Sequence, residues 1–563
     1  MATDTSQSTI SSSVVRPVDA GFQRSMGLIG ATWSSETSII GSGWLFGAFY
    51  ASVAAGPAAL IGWLIGGVAI IILALCHAEL GAMFPVSGGT ARFPHFAFGG
   101  TAGTAFGFFS WLQAVTVAPV ECFAVFEYLS YFDHGLYNPT KGVVTGAGFL
   151  LTIALMAIFT AVNFLAMRVF TRVNEAITWW KVAIPVLAII VLLFKFHGAN
   201  FDLKSAGGFM PYGIKAVFAA IPSSGIVFAY LGFEQADQLA AEVKNPQRNL
   251  PRAIIISIMI GTLIYCMLQV VFTAAMPASA LHGGWAGLAK NPVISAGPFA
   301  GLAGLTAFAW LANILRVDAF ISPAGTGNIY VTSTSRIGYG LGRNRYFPQA
   351  FTKLDKNGIP WVSLIVAFVL GLVFLLPFPS WHALVTLVTL ISVLMYCGAP
   401  LSLGAFRKRL PDAPRPYRMW GASVLGPVAF MIANLLVYWA GFGSILHFEI
   451  CLAIGYIVIG GFMLFDKTRP PMELRSAVWL PAWLIGLTLI SWQGQFTGSQ
   501  LWFSVTATHN IPFWADMAVV AAFALGIYLW AQYSAAPRAD IEALIARQAH
   551  EQADIERDPN LYA

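Results

Sequence analysis

The chain alternates between long apolar runs and short polar connectors, and the runs have the length of membrane-spanning helices. Fourteen can be counted, at about 26–55, 58–84, 103–132, 143–167, 176–197, 216–241, 253–276, 299–326, 361–378, 381–405, 422–441, 447–465, 477–493 and 511–533. The ninth is short and ends on a Pro377–Trp381 stretch that suits a tight turn straight back into the bilayer. Two polar ends lie outside the pattern. Residues 1–25 are Ser/Thr-rich, lack the apolar core of a signal peptide, and read as a disordered cytosolic tail. Residues 534–563 mix charges with alanines and read as a cytosolic tail containing a helix.

Two of the runs break their own pattern. The first carries Gly41, Ser42 and Gly43 in its middle, where a lipid-facing helix gains nothing from glycine or small polar groups. The sixth carries Pro222, Ser223, Ser224, Gly225 and Gly232, with Glu234 and Asp237 close behind. Both are expected to unwind at membrane depth, over residues 38–47 and 225–234. Freed backbone groups are tolerated there only where they line a cavity or meet a ligand. A half-helix N-terminus offers N–H donors and partial positive charge to a carboxylate. The C-terminal end of the preceding half offers carbonyls to an ammonium. Matched interruptions five helices apart point to a transporter site near the bilayer midplane. The plainer reading is that each glycine cluster only marks a close helix–helix contact.

Composition supports a polytopic membrane protein. Only 10% of the 563 residues are charged, against roughly 25% in soluble domains. The net charge of +6 is spread over loops and implies no nucleic-acid partner. With the N-terminus inside, 24 Lys and Arg fall on the inner side and 5 on the outer, leaving Lys181 and Arg316 within the membrane. That asymmetry places both termini in the cytoplasm. The five cysteines lie in or beside apolar runs without metal spacing and read as packing residues.

Several segments resemble the amino acid–polyamine–organocation superfamily of permeases. They are SIIGSGW in the first run, HAELGAMFPVSGGTARFP (His77–Pro94), FAYLGFEQADQLAAEVKNPQRNLPRAI in and after the sixth, and STSRIGYGLGRNRYFP (Ser333–Pro348). DAFISPAGTGNIYVTSTSR (Asp318–Arg336) and PFPSWHALV (Pro377–Val385) resemble the bacterial aspartate–proton symporter branch in particular. The resemblance implies an all-α polytopic membrane protein of about 14 transmembrane helices. Its transporter core, residues 26–405, would hold ten helices in two inverted five-helix repeats, about 26–197 and 216–405, with helices 1 and 6 broken. About four additional transmembrane helices, residues 406–533, would follow at the C-terminus.

The same resemblance implies roles for single residues. The substrate carboxylate would meet backbone N–H groups around Gly41, Ser42, Gly43 and Trp44, and the ammonium carbonyls of Ile39 or Ile40 and of Phe228 and Ala229. Tyr230 and Phe233 would border the side-chain pocket or close over it. Lys181 resembles the fifth-helix lysine of many proton-coupled members, standing where sodium-coupled relatives bind a cation.

A charge in the bilayer costs at least about 2.5–3.5 kcal/mol on insertion scales, so each needs a reason. Lys181, Glu234, Asp318, Glu121 and Glu36 are the proton-coupling candidates. The structural readings stand beside them: a snorkelling Lys181, a Glu234 bonded to unwound backbone, a buried structural pair for Glu121, and a Glu36 that only wets the inner vestibule. Glu36, Glu234 and Arg316 depart from the pattern of the family or branch. Asp318 is expected to pair with Lys181 if helices five and eight touch, and Arg316 with Glu121 or another buried acid. Glu79, Glu242 and Arg336 belong to inner-loop motifs and read as an inner gate with its ion pairs.

The leading expectation is a proton-coupled amino acid permease of the cell's inner (plasma) membrane, working by alternating access, with an acidic amino acid such as aspartate as one candidate substrate. An amino acid exchanger or an amine or polyamine permease is the alternative. No HExxH, GxSxG or P-loop supports an enzyme, no cofactor is implied, and no repeated pore-lining ring supports a channel.

Overall fold

The computed structural model describes residues 24–132, 135–138, 143–164, 167–375, 381–465, 472–500 and 503–557. The expected turn at Pro377–Ser380 and most of the N-terminal tail lie outside them. The chain is almost wholly helical, with one two-residue hairpin pairing Tyr137 with Val144. Among the described residues, eight helices are long and apolar enough to cross a membrane, and shorter apolar helices accompany them. Outward faces are apolar as well as inward ones: Leu263 is 68% exposed and Ile457 74%. A water-facing helix would place polar groups there, so lipid is the natural neighbour.

The first run divides into α1 (Leu28–Ile39) and α2 (Ser42–Ala55), followed by α3 (Ala59–Met83), α4 (Gly89–Phe98), α5 (Gly100–Leu129), α6 (Gly146–Val162) and α7 (Met167–Leu193). The sixth run divides twice, into α8 (Gly213–Ser223), α9 (Ile226–Ala229) and α10 (Gln235–Gln238). Next come α11 (Pro246–Ala275), three short helices α12 (Gly284–Gly287), α13 (Pro292–Ala296) and α14 (Pro298–Leu305), and then α15 (Ala309–Arg343) and α16 (Trp361–Leu375). The chain closes with α17 (Trp381–Tyr396), α18 (Gly398–Arg409), α19 (Ala422–Trp439), α20 (Phe442–Phe465), α21 (Trp479–Gln493), α22 (Phe513–Ser534) and α23 (Arg538–Arg557).

Two boundaries differ from the sequence reading. The run read as 299–326 is α14 plus the first half of α15, which continues to Arg343. Its Ser/Thr/Gly-rich second half is buried against α5 and α4, so low hydropathy there carries no penalty from lipid. The run read as 381–405 bends at Cys397 between α17 and α18. Pro400 has no N–H to give the Tyr396 carbonyl, which removes one helical bond at the bend.

The two broken helices pack directly on each other. Gly232 has φ +122°, and a Cβ there would lie 2.6 Å from Cβ of Ser38 and 2.7 Å from N of Ile39. Only glycine suits both the angle and the space. A Cβ on Gly43 would lie 2.8 Å from Cα of Ala229, so α2 crosses α9 backbone to backbone. The ends entering and leaving these helices also meet: Met26 N donates to Glu242 O at 3.0 Å, and Lys244 N to Met26 O at 2.7 Å. α5, buried along its length, and α15 form the wall facing this crossing.

Candidate ligand site between the broken helices

At the first break Ile40 N still reaches Glu36 O (2.8 Å), but Gly41 N turns to Ile39 O (3.1 Å), and the helix restarts at Ser42. The carbonyls left open at the end of α1 are taken by side chains from three other helices. Lys181 Nζ on α7 donates to Thr37 O at 2.5 Å and to Thr326 Oγ1 at 2.7 Å. Thr326 on α15 also lies 2.7 Å from Thr37 O, with Ile40 O at 3.4 Å. Tyr265 on α11 donates to Ile39 O at 2.5 Å.

The N-terminus of α2 is taken by a carboxylate of the protein itself. Ser42 N donates to Glu121 Oε2 at 2.8 Å, and Ser42 Oγ to Glu121 Oε1 at 3.0 Å. Trp381 Nε1, from the start of α17, donates to Ser42 Oγ at 2.7 Å. Its ring is tilted against Phe46 and set edge-on to Phe228, so it covers both breaks.

The second break is closed locally. Glu234 Oε2 accepts from Gly232 N (2.9 Å) and Tyr396 OH (2.6 Å), and Oε1 from Tyr330 OH (3.2 Å) and Gln235 Nε2 (3.3 Å). Between the two breaks lies a cavity of only about 10 Å³, lined among others by Ser38, Gly41, Glu121, Phe228, Thr326 and Tyr330. That is room for about one water and not for an amino acid.

Several expected placements need correction. Tyr230 does not line the cavity: its hydroxyl donates to Trp63 O at 2.9 Å and its ring packs on Trp63 and Tyr265. Phe233 faces His77 and Tyr396 instead. Both lie where the helix has lost its period, so sequence spacing gave no guide to direction. Trp44, expected to contribute only its backbone N–H, has that backbone in the first turn of α2, and its buried ring packs on Phe299. Asp318 does not pair with Lys181; it accepts from Trp180 Nε1 (2.8 Å) and Ser322 Oγ (2.8 Å). Arg316 does not reach Glu121; it bonds Asn313 Oδ1 (2.8 Å) and lies 3.8 Å over the Tyr131 ring. Glu36 wets no vestibule; it is fully buried, and neither oxygen has a hydrogen-bond partner among the described residues.

Arg336 Nε lies 2.9 Å from Glu242 Oε1, joining α15 to the segment after α10. Burial pushes the Glu242 carboxyl above its ordinary range, and the Arg336 guanidinium opposes that. Glu79 belongs to a different cluster. It accepts from Arg407 Nη2 (2.5 Å) and Met419 N (2.7 Å), with Arg415 Nε at 3.2 Å.

Sequence reasoning missed Thr326, Tyr330, Tyr265, Trp381 and Tyr396. Thr326 and Tyr330 stand four apart on one face of α15, a spacing that could have been read. Tyr396 sits in an apolar run, where a buried tyrosine hydroxyl calls for a polar partner.

Comparison with known proteins is consistent with this geometry. Residues 26–463 match a family model described as amino acid permease. The chain is 34% identical over 525 residues to the aspartate-proton symporter of Bacillus subtilis (strain 168), spanning 92% of this chain and 98% of that one. It is also 34% identical over 516 residues to the glutamate/serine transporter AimA of the same organism, spanning 90% and 93%. A methylthioribose transporter from that organism is 26% identical over 421 residues, spanning 72% and 86%.

Proposed function

The chain belongs to the amino acid permease family, and from that premise we propose that it carries an acidic amino acid, aspartate first among candidates, together with a proton across the cell's inner membrane. Its transporter core is residues 26–405, with both termini cytoplasmic and residues 406–533 as additional spans. The observation that carries this reading is the crossing of two broken helices around a small cavity, where the first break presents the Ser42 N–H and hydroxyl to a carboxylate and ends α1 on carbonyls met by Lys181 and Tyr265. Such a site recognises the zwitterion common to amino acids, while the side-chain preference comes from the names of the two 34% relatives. The proton fits the buried ionisable groups: Lys181, Glu121, Glu36 and Asp318 lie on α7, α5, α1 and α15, which meet at the first break. The ammonium of Lys181 stands at the end of α1 and leaves a sodium ion no open carbonyl of Thr37.

Alternating access then requires the Glu242–Arg336 pair to part on the inner side and Trp381 to leave Ser42 on the outer side. The test is uptake of labelled L-aspartate, L-glutamate and L-serine into proteoliposomes holding the purified protein. Uptake collapses with a protonophore and is unaffected when sodium is replaced. Uptake that persists with neither pH gradient nor voltage identifies an exchanger, and accumulation of an amine in place of amino acids overturns the reading.

A further inference from the structure

We propose that Glu121 is a tethered stand-in for the substrate carboxylate, and that the amino acid enters only as Glu121 takes up a proton and gives way. The proposal rests on the transport reading above and adds the physical link between proton and substrate. Three observations carry it. Both donors of Ser42, N–H and hydroxyl, are spent on Glu121, at 2.8 and 3.0 Å. A second carboxylate cannot share them, because like charges in one site exclude each other. The cradle is shaped for this group: a Cβ on Gly41 would lie 2.8 Å from Glu121 Oε1. The remaining space, about 10 Å³, is far too small for an amino acid, so its lining must open for one to bind, and Glu121 is the lining group that holds the donors a substrate carboxylate needs.

Glu121 is held by one serine and one half-helix N-terminus, with no cation hydrogen-bonded to it among the described residues. The groups that face it are Lys181 on α7, Tyr265 on α11 and Tyr330 on α15, and Glu36 on α1 lies near the same Lys181 and Tyr265. Lys181 is committed to Thr37 O and Thr326. A proton on Glu121 removes the charge that complements the positive end of α2. It also turns one acceptor oxygen into a donor. The substrate carboxylate keeps its charge and takes the vacated N–H and hydroxyl of Ser42. The proton arrives from outer water, rides on the Glu121 carboxyl while the substrate is bound, and passes to inner water when Glu121 returns to Ser42.

The experiment is calorimetry of L-aspartate binding to the full-length native protein in buffers of different ionisation heat. Binding should take up about one proton, and affinity should fall by up to about tenfold per pH unit as pH rises. Glu121→Gln should bind with no proton uptake and a flat pH profile. In liposomes it should exchange labelled for unlabelled substrate yet fail to accumulate it. If that variant does not fold, the native calorimetry decides alone, since binding without proton uptake overturns the proposal. Native-like pH dependence in Glu121→Gln overturns it too, leaving the transport reading intact. A native protein that neither binds nor exchanges L-aspartate, L-glutamate or L-serine overturns both.

Discussion

The two helix breaks solve the same problem with different carboxylates. Each frees backbone donors at membrane depth, and each meets them with a buried glutamate. At the second, Glu234 lies two residues from the Gly232 N–H it accepts, and two tyrosines and a glutamine complete its shell. At the first, Glu121 arrives from α5 and is held by Ser42 alone. A local, fully surrounded carboxylate behaves as part of the backbone. A distant one with few partners is the easier of the two to displace, which the role proposed for Glu121 requires.

The contrast can be broken at its hinge. Gly43→Val drives a branched side chain into Cα of Ala229, where neither backbone can retreat. Overpacking costs about 1–3 kcal/mol or more, and transport should be lost altogether in proteoliposomes. It can next be sharpened by comparing Glu121→Gln with Glu234→Gln. Hydrogen bonds to a charged group are worth about 1.5–3 kcal/mol each. Glu234→Gln should therefore lower the unfolding midpoint measurably in a thermal-shift assay while leaving the pH dependence of substrate binding native. Glu121→Gln, with two such bonds at stake against four, should lower the midpoint less and flatten the pH dependence of binding. Tyr396→Phe removes one donor to Glu234, at 2.6 Å, and should cost about 1.5–3 kcal/mol of stability with symport stoichiometry kept. The smallest effect is expected from Tyr230→Phe. Among the described residues its hydroxyl bonds Trp63 O and Cys266 Sγ, outside the cavity, so substrate affinity should stay within about twofold. A large change in substrate preference there would return Tyr230 to the pocket.

The breaks themselves were legible because glycine, serine and proline inside an apolar run weaken a helix and gain nothing from lipid, and both runs unwind where expected. That the sixth run breaks twice was less legible, since Gly232 acts through its contact with Ser38, which is tertiary. The candidate acids and Lys181 are buried as expected, yet their partners were not foreseen. Asp318 finds the indole of Trp180 and not the neighbouring Lys181, because the two side chains leave α7 in different directions. Glu121 was weighed as one ionisable group among five; its place on Ser42 depends on how α5 packs, which no local pattern encodes. The polar second half of α15 misled for a related reason: hydropathy reports contact with lipid, and this helix is wrapped in protein.

Glu79 adds a constraint on how the molecule is made. Its carboxylate, wholly buried on α3, is answered by Arg407 and Arg415, and Arg407 stands 328 residues further along. During synthesis the second span therefore waits, its charge unmatched, until the ribosome has produced the helices up to α18 and the turn beyond. This end of the bundle is completed only once α18 and the turn after it exist, and Arg407 and Arg415 serve as its closing stitch.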